Sequence, residues 1–384
     1  MAKTYMDHSA TTPVDPEVAR LMLDSLTESF GNPSSIHGYG NEARKMVEKA
    51  RRQVAALIGS SNEEIVFTSG GTEADNMAII GTAHAYQGRG RHIITSKIEH
   101  HAVLEAFKHL EKQGFEATYL PVSRLGEVDI KAVNKAIRPD TILISVMHAN
   151  NEIGTIEPIA EIGKIAREKD IVFHTDAIQT VGRIPVNVRE LNVDLLSLSA
   201  HKFYGPKGIG ALYIRSGIKP EVLLHGGGQE RTWRSGTENV PGIVGLGHAA
   251  ELALNLMPER SNHLKKLGRV LTRRILEEIP HAYLTGHPED RLPGHVSMVF
   301  LGVEGASMLV FLDSDGFAVS GGSACSSNSF DPSHVLTALG MTKDAAHSSL
   351  RVSLGKDNTF EDIDRFMTVL PGIIERQRLM WNLI

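Results

Sequence analysis

The chain has 384 residues, 41% hydrophobic and 22% charged. These are ordinary globular values, and at roughly 150 residues per domain they allow two or three domains with a sizeable core. The 40 basic and 45 acidic residues leave a net charge of −5 with no long block of either sign, so direct nucleic-acid or membrane-surface binding has no electrostatic support and is not expected. A single cysteine, Cys325, excludes an internal disulfide framework and a multi-cysteine metal centre within one chain. Met1–Tyr5 leads into polar sequence rather than a secretory leader, and no apolar run reaches about 18 residues, so a cytoplasmic protein without a membrane-spanning helix is expected.

Residues 1–15 read as an irregular arm. Asp15-Pro16 then starts a helix to about Ser29, with proline at a first-turn position. Gly31-Asn32-Pro33 breaks it, and a charged helix follows from about Tyr39 to Leu57. Strands expected at 64–68, 92–95, 116–120, 141–146, 171–174 and 194–198 alternate with helices at 72–86, 101–113, 129–137 and 158–168, the rhythm of an α/β protein. The strand at 210–214 follows 194–198 by a short loop and so suits an antiparallel neighbour. After Gly226-Gly227-Gly228 the rhythm changes. A helical region at about 241–279, interrupted near Pro258, precedes shorter strands (295–300, 317–319, 349–353) and helices (304–312, 333–339, 360–378). The expected organisation is an arm, 1–15, joining a small α+β domain, 241–384, to a large domain, 16–240, with a mostly parallel sheet.

Open α/β sheets bind ligands in the loops after their strands. Ser69-Gly70-Gly71-Thr72 opens a helix with free backbone N–H groups, an anion-binding arrangement that matches neither the dinucleotide fingerprint nor the P-loop. Glu99-His100-His101, His148–Glu152 and His174–Gln179 follow later strands. Each has a plainer reading as a cap or a core-edge side chain, and no metal-ligand spacing occurs among them. Lys202, in Ser199-Ala200-His201-Lys202-Phe203-Tyr204-Gly205-Pro206-Lys207-Gly208, ends an apolar run, where a partly desolvated amine becomes a nucleophile toward carbonyls. Together these positions fit pyridoxal phosphate: an anion for Gly71 and Thr72, a ring nitrogen for Asp176, a flat face for His100 and an aldehyde for Lys202.

The motifs His174–Gln179 and Ser199–Gly208 resemble those of the cysteine desulfurases of the NifS/IscS type, fold-type I pyridoxal-phosphate enzymes. So do Asp7–Pro13, Phe67–Glu73, Met147–Gly154, Arg234–Thr237, Ser323–Ser327 and Leu350–Gly355, nearly the whole chain. The resemblance implies a seven-stranded, mostly parallel sheet. It implies Lys202 as the cofactor lysine, Asp176 at the pyridinium nitrogen, Gln179 at the phenolic oxygen and His100 stacked on the ring as a proton shuttle. Gly71, Thr72, Ser199 and His201 would hold the phosphate, with Thr237 from the partner subunit of a homodimer. Asn151, at the cofactor's edge, and Arg351 would hold the substrate carboxylate. Gly71 departs from the Ala or Ser of many relatives.

Cys325 sits among small and polar residues, Ser320–Ser329, a composition suited to an exposed loop. In the implied mechanism its thiolate takes the sulfur of L-cysteine, leaving L-alanine and a persulfide for an iron–sulfur scaffold protein or another acceptor. Residues Asn328–Val335 lengthen the segment, as in the long-loop group. The chain stops at Trp381–Ile384, without the tail that housekeeping relatives use to meet their scaffold, so the acceptor stays open. Alternatives at this level are sulfur donation mainly for tRNA thiolation, a selenocysteine lyase, an aminotransferase, or a partner-docking sulfur platform with transient cluster ligation by Cys325.

Overall fold

The computed structural model describes residues 3–322 and 332–380. In its first half, strands β2 (Ile65–Thr68), β3 (His92–Ser96), β4 (Glu116–Leu120), β5 (Thr141–Ser145), β6 (Val172–Asp176), β7 (Leu195–Ser199) and β8 (Gly210–Ile214) form one sheet, after a short β1 (Thr4–Tyr5). The order is β2-β8-β7-β6-β5-β3-β4. All neighbours are parallel except β8, which is antiparallel to both β2 and β7, as its short loop required.

Helices cover both faces of this sheet. They are α1 (Pro16–Thr27), α2 (Gly38–Ile58), α3 (Gly71–Tyr86), α4 (His101–Glu111), α5 (Ile130–Ala136), α6 (Ile159–Glu168) and the first half of α7 (Val240–Glu278). Successive strand residues point to opposite faces. Phe67, Ile144, Phe173, Leu196 and Tyr213 therefore enter the core shared with α1, α2, α5, α6 and α7. Their neighbours Val66, Leu143, Val172, Leu195 and Leu212 enter the core shared with α3 and α4. With both faces covered, the inner strands are buried along their whole length, while edge strand β4 stays partly exposed.

The second half forms a three-stranded antiparallel sheet, β12 (Ser349–Ser353), β10 (His295–Phe300) and β9 (Ala282–Leu284). The second half of α7, α8 (Gly305–Ser314) and α11 (Phe360–Met380) pack on it, while α9 (His334–Ala338) and α10 (Lys343–His347) bury Val335, Leu336 and Ala346 with Ile98, Met147 and Ile153 of the first half. β1 pairs in parallel with β11 (Phe317–Ala318), and Asp7 bridges to Ser353, so the arm is stitched into this half. Strands β1 and β9 and helix α10 carry too few residues to show a period in the sequence.

The expected break at Pro258 does not occur: α7 is one helix of 39 residues. Proline there removes the N–H that would meet the carbonyl of Leu254, but Leu254 and Pro258 are both exposed, so water meets it. Burial of Leu246, Ala250 and Ala253 before the proline and Leu264, Leu267 and Leu271 after it outweighs the local cost of about 3 kcal/mol. α7 is also long and apolar enough to cross a membrane, yet its apolar residues are those that fill these two cores.

One buried ion pair ties strand β2 to the loop before α7. Arg51 on α2 meets both carboxylate oxygens of Glu230 at 2.8 and 2.9 Å, and Glu230 also accepts the Phe67 N–H. Both side chains are nearly inaccessible. Glu230→Ala leaves the buried guanidinium with only the half-exposed Glu48 carboxylate, 3.1 Å from its Nε, and is expected to cost about 3 kcal/mol, read as a lower urea midpoint at unchanged slope; a change under about 0.5 kcal/mol would contradict this.

Candidate active site

The parallel strands end together, and their last residues and following turns form one floor. Lys202 lies in a short 3₁₀ turn, Ala200–Lys202, directly after β7. Its Nζ donates to the carbonyls of Ser9 (2.5 Å) and Ala10 (2.8 Å) in the N-terminal arm. Gln179 Nε2 donates to the same Ser9 carbonyl at 2.9 Å, while its Oε1 is buried without a partner. Arg183 Nη2 secures the arm by donating to the His8 carbonyl at 2.5 Å.

Asp176 is the last residue of β6 rather than part of a loop, and one of its oxygens accepts the Ile178 N–H at 2.9 Å. Burial pushes its carboxyl up to about 6, against the pull of that hydrogen bond and of the Lys202 charge. Beneath it lies a network that sequence reading missed. His174 Nδ1 meets Ser145 Oγ at 2.8 Å, and its Nε2 meets Ser197 Oγ at 3.0 Å and lies 3.6 Å from Asp75. Burial holds His174 neutral, down to about 3. Burial, then the charge of Asp176, raises Asp75 well above the usual carboxylate range. Its only sequence signal is an acid on the helix face it shares with Ala78 and Ile79, three and four residues on.

His100 caps α4, its Nδ1 accepting the Ala102 N–H at 3.1 Å. The proton of the neutral ring is therefore on Nε2. Burial, then the Lys202 charge, lowers its pKa to about 4, so it stays neutral at neutral pH. The next buried acid, Glu99, accepts from Ser96 Oγ and the Met147 N–H, and burial pushes it up to about 8.

The helix start at α3 is built for an anion. Gly70, its N-cap residue, has φ 154° and ψ −175°, a conformation essentially restricted to glycine, and no side chain caps the first N–H groups. Gly71 is buried, and a Cβ there would come within 2.1 Å of Ile178 Cδ1 and 3.7 Å of Ser199 Cβ. An Ala or Ser here would shift the flexible end of Ile178. Thr72 is exposed beside it, and Ser199 is buried at the end of β7. His201 Nδ1 meets Thr11 Oγ1 at 3.1 Å, and burial, then the Lys202 charge, lowers it to about 4. Thr237 is exposed and makes no hydrogen bond to these groups in the single chain.

Arg351, on β12, donates to the Asn151 carbonyl (3.0 Å) and pairs with Asp7 (2.9 Å), and its Nε is buried without a partner. Asn151 is half-buried in the turn after β5. The segment 323–331, with Cys325, lies outside the described residues. Its flanks are tied to the site: Ser320 exchanges backbone hydrogen bonds with Arg351, Ser333 Oγ meets Glu152, and His334 Nε2 meets the Glu99 carbonyl.

These residues fit pyridoxal phosphate by their chemistry. An uncapped glycine helix start suits a phosphate, a buried carboxylate with an oxygen to spare suits a ring nitrogen, and a lysine beside it suits the aldehyde.

The buried acids give a pH prediction. A Glu99 carboxyl raised to about 8 in the folded state favours folding below its unfolded value of about 4.5, and that advantage is lost as pH rises to about 8. Buried imidazoles such as His174 and His148 act oppositely, but only below 6.5. Between pH 6.5 and 8 the wild-type melting temperature is therefore expected to fall, at most about 1.4 kcal/mol per pH unit for each acid. Glu99→Gln, which has no proton to lose, should flatten that fall; an equally steep fall in the variant contradicts the assignment.

The Aminotransferase class-V family model matches residues 4–366. The chain is 56% identical over 376 residues to the cysteine desulfurase IscS of Dictyoglomus turgidum, an alignment covering 98% of this chain and 95% of that one. It is 55% identical to the cysteine desulfurase IscS of Methanosarcina thermophila, covering 98% and 93%. Among solved structures, a NifS-like protein superposes with a TM-score of 0.92 at 41% identity, covering 97% of this chain and all of that one. SspA in complex with cysteine superposes with a TM-score of 0.83 at 38% identity, covering 93% and 100%. By this family match and these full-length identities, the chain belongs to the class-V aminotransferases and, within them, to the cysteine desulfurases of the IscS type.

Proposed function

We propose that the chain removes sulfur from L-cysteine with pyridoxal phosphate held at Lys202, giving L-alanine and a persulfide on Cys325. The observation that carries this reading is the convergence on the arm segment Asp7–Ala10. Lys202 and Gln179 donate to its carbonyls, and Arg351 pairs with its carboxylate. The cofactor lysine and the candidate substrate arginine thus meet on four consecutive residues.

When bound, pyridoxal phosphate withdraws electrons from the substrate carbon skeleton and so weakens the carbon–sulfur bond. Asp176 would hold the ring nitrogen protonated. The N–H groups at Gly71 and Thr72, with Ser199 and His201, would hold the phosphate, and Gln179 would take the phenolic oxygen. His100, with its proton on Nε2, would meet the ring, and the Lys202 amine would carry protons at the substrate carbon. Arg351, exchanging Asp7 for substrate, binds the carboxylate together with Asn151, through charge-assisted hydrogen bonds.

The Cys325 thiolate attacks the substrate sulfur. The new sulfur–sulfur bond forms as the carbon–sulfur bond breaks, and the carbon skeleton takes up protons to leave as alanine. The persulfide then passes to an acceptor such as an iron–sulfur scaffold protein. The working unit is a homodimer, with Thr237 of each chain reaching the phosphate of the other. The unit 16–240 holds the cofactor, 241–384 carries Arg351 and Cys325, and the arm 1–15 joins them.

The test is a product balance. Incubated with L-cysteine and a reductant, the cofactor-loaded protein should release alanine and sulfide in equal amounts. Pyruvate and ammonia in place of alanine, or no turnover, would overturn the reading.

A further inference from the structure

Away from this site, a cavity of about 490 Å³ lies between the second half of α7 and the segment from Leu284 to His295. Lys265, Arg269, Thr272, Arg273 and Leu276 recur at three- and four-residue spacing, so they line one face of the helix. Leu284, Pro288, Leu292 and Pro293 supply an apolar wall opposite. The floor is a close approach of two glycines: a Cβ at Gly268 would lie 3.2 Å from the Cα of Gly294, whose φ is 71°.

The lining is strongly cationic. Lys265, Arg269, Arg273 and Arg291 face two carboxylates, Glu277 and Glu289. Lys265 and Arg273 make no ion pair among the described residues. Arg269 and Glu289 are 3.9 Å apart and largely exposed, a pair worth little. Arg291 is the telling residue. Its Nη2 donates to the carbonyls of Ile153 and Thr285, but Nε and Nη1 are buried with no partner. Burial lowers its pKa to about 10, which still leaves it charged at neutral pH. Those two N–H groups are closed to solvent, so an anion in the cavity acts on Arg291 through its charge at the wall rather than by a hydrogen bond in this geometry.

The same wall grips the turn that carries Asn151. Arg291 holds the Ile153 carbonyl at 3.0 Å, and the Leu292 N–H donates to the Gly154 carbonyl at 2.9 Å. His295 Nε2 donates to the Glu152 carbonyl at 3.0 Å, and its Nδ1 accepts from Ser9 Oγ at 3.2 Å. An occupant of the cavity therefore bears on the backbone from Glu152 to Gly154 and, through Ser9, on the residue that receives Lys202.

We propose that this cavity binds a small organic anion, a carboxylate or phosphate ester with a short apolar body, and that the occupant adjusts the Asn150–Gly154 turn through Arg291 and His295. The binding and its effect on the turn stand apart from the desulfurase reading; only an effect on the KM for L-cysteine rests on it.

The test is calorimetry on the cofactor-loaded protein with citrate and with adenosine 5′-monophosphate as probes and inorganic phosphate as the bare anion. At least one organic probe should bind in the submillimolar range. The double variant Lys265→Glu, Arg273→Glu, at exposed positions without ion pairs, should weaken it by about tenfold or more at an unchanged melting temperature. Bound probe should slow amide hydrogen exchange across 150–154 and shift the KM for L-cysteine about twofold, neither occurring in the double variant. No binding up to on the order of 10 mM, equal binding by the double variant, or inorganic phosphate binding as tightly as the organic probes would overturn the site. Binding with unchanged exchange at 150–154 would overturn its link to the turn. Slowed exchange in a protein that makes no alanine would support the cavity and sink the desulfurase reading instead.

Discussion

Lys202→Ala is expected to lower alanine formation from L-cysteine by at least about a thousandfold, and to abolish the visible, borohydride-reducible absorbance of lysine-bound pyridoxal phosphate. Two roles fail at once: the covalent attachment and the proton transfer at the substrate carbon. The fold should survive. Among the described residues the amine donates to the carbonyls of Ser9 and Ala10, and the loss of these two hydrogen bonds should cost on the order of 1–2 kcal/mol. Far-ultraviolet circular dichroism and a melting curve separate the two effects. An unchanged reducible absorbance in the variant would mean that another lysine carries the cofactor.

Cys325→Ser is expected to do the opposite to the spectrum and the same to the activity. The cofactor band should be retained, because none of the residues assigned to the cofactor lies in 323–331, while sulfide release falls to background. The reason is nucleophilicity. A free thiol with pKa about 8.5 is about 3% thiolate at neutral pH, and a serine hydroxyl offers no comparable anion. Both flanks of the segment are tied to the site, Ser320 to Arg351 and Ser333 to Glu152, so Cys325 belongs to a stretch whose two ends start from the walls around the candidate substrate groups. Full sulfide release by the serine variant would remove the persulfide step.

Much of this was legible in the sequence because strand ends and glycine turns carry local signatures. The alternation of apolar strands with helices placed Asp176, Lys202 and the Gly70-Gly71-Thr72 turn at one edge of a parallel sheet, and the structure brings them there. The residues that hold those groups were harder to read. Lys202 rests on backbone carbonyls, which have no residue type to betray them. Asp75 and His174 form a polar network inside apolar elements, where their partners come from other strands and helices. Pro258 misled because a proline speaks for its own turn, whereas the helix is held by two cores on either side of it. The role expected of Arg351 came from the resemblance alone, and its partner Asp7, at the other end of the chain, left no signal in the sequence.

The most direct test of the account is mass spectrometry of Cys325 after a brief exposure of the cofactor-loaded protein to L-cysteine without reductant. The peptide carrying this residue, the only cysteine in the chain, should gain the mass of one sulfur atom, lose it on treatment with dithiothreitol, and match one alanine released per persulfide formed. Alanine released in that amount with an unmodified Cys325 peptide would contradict the account.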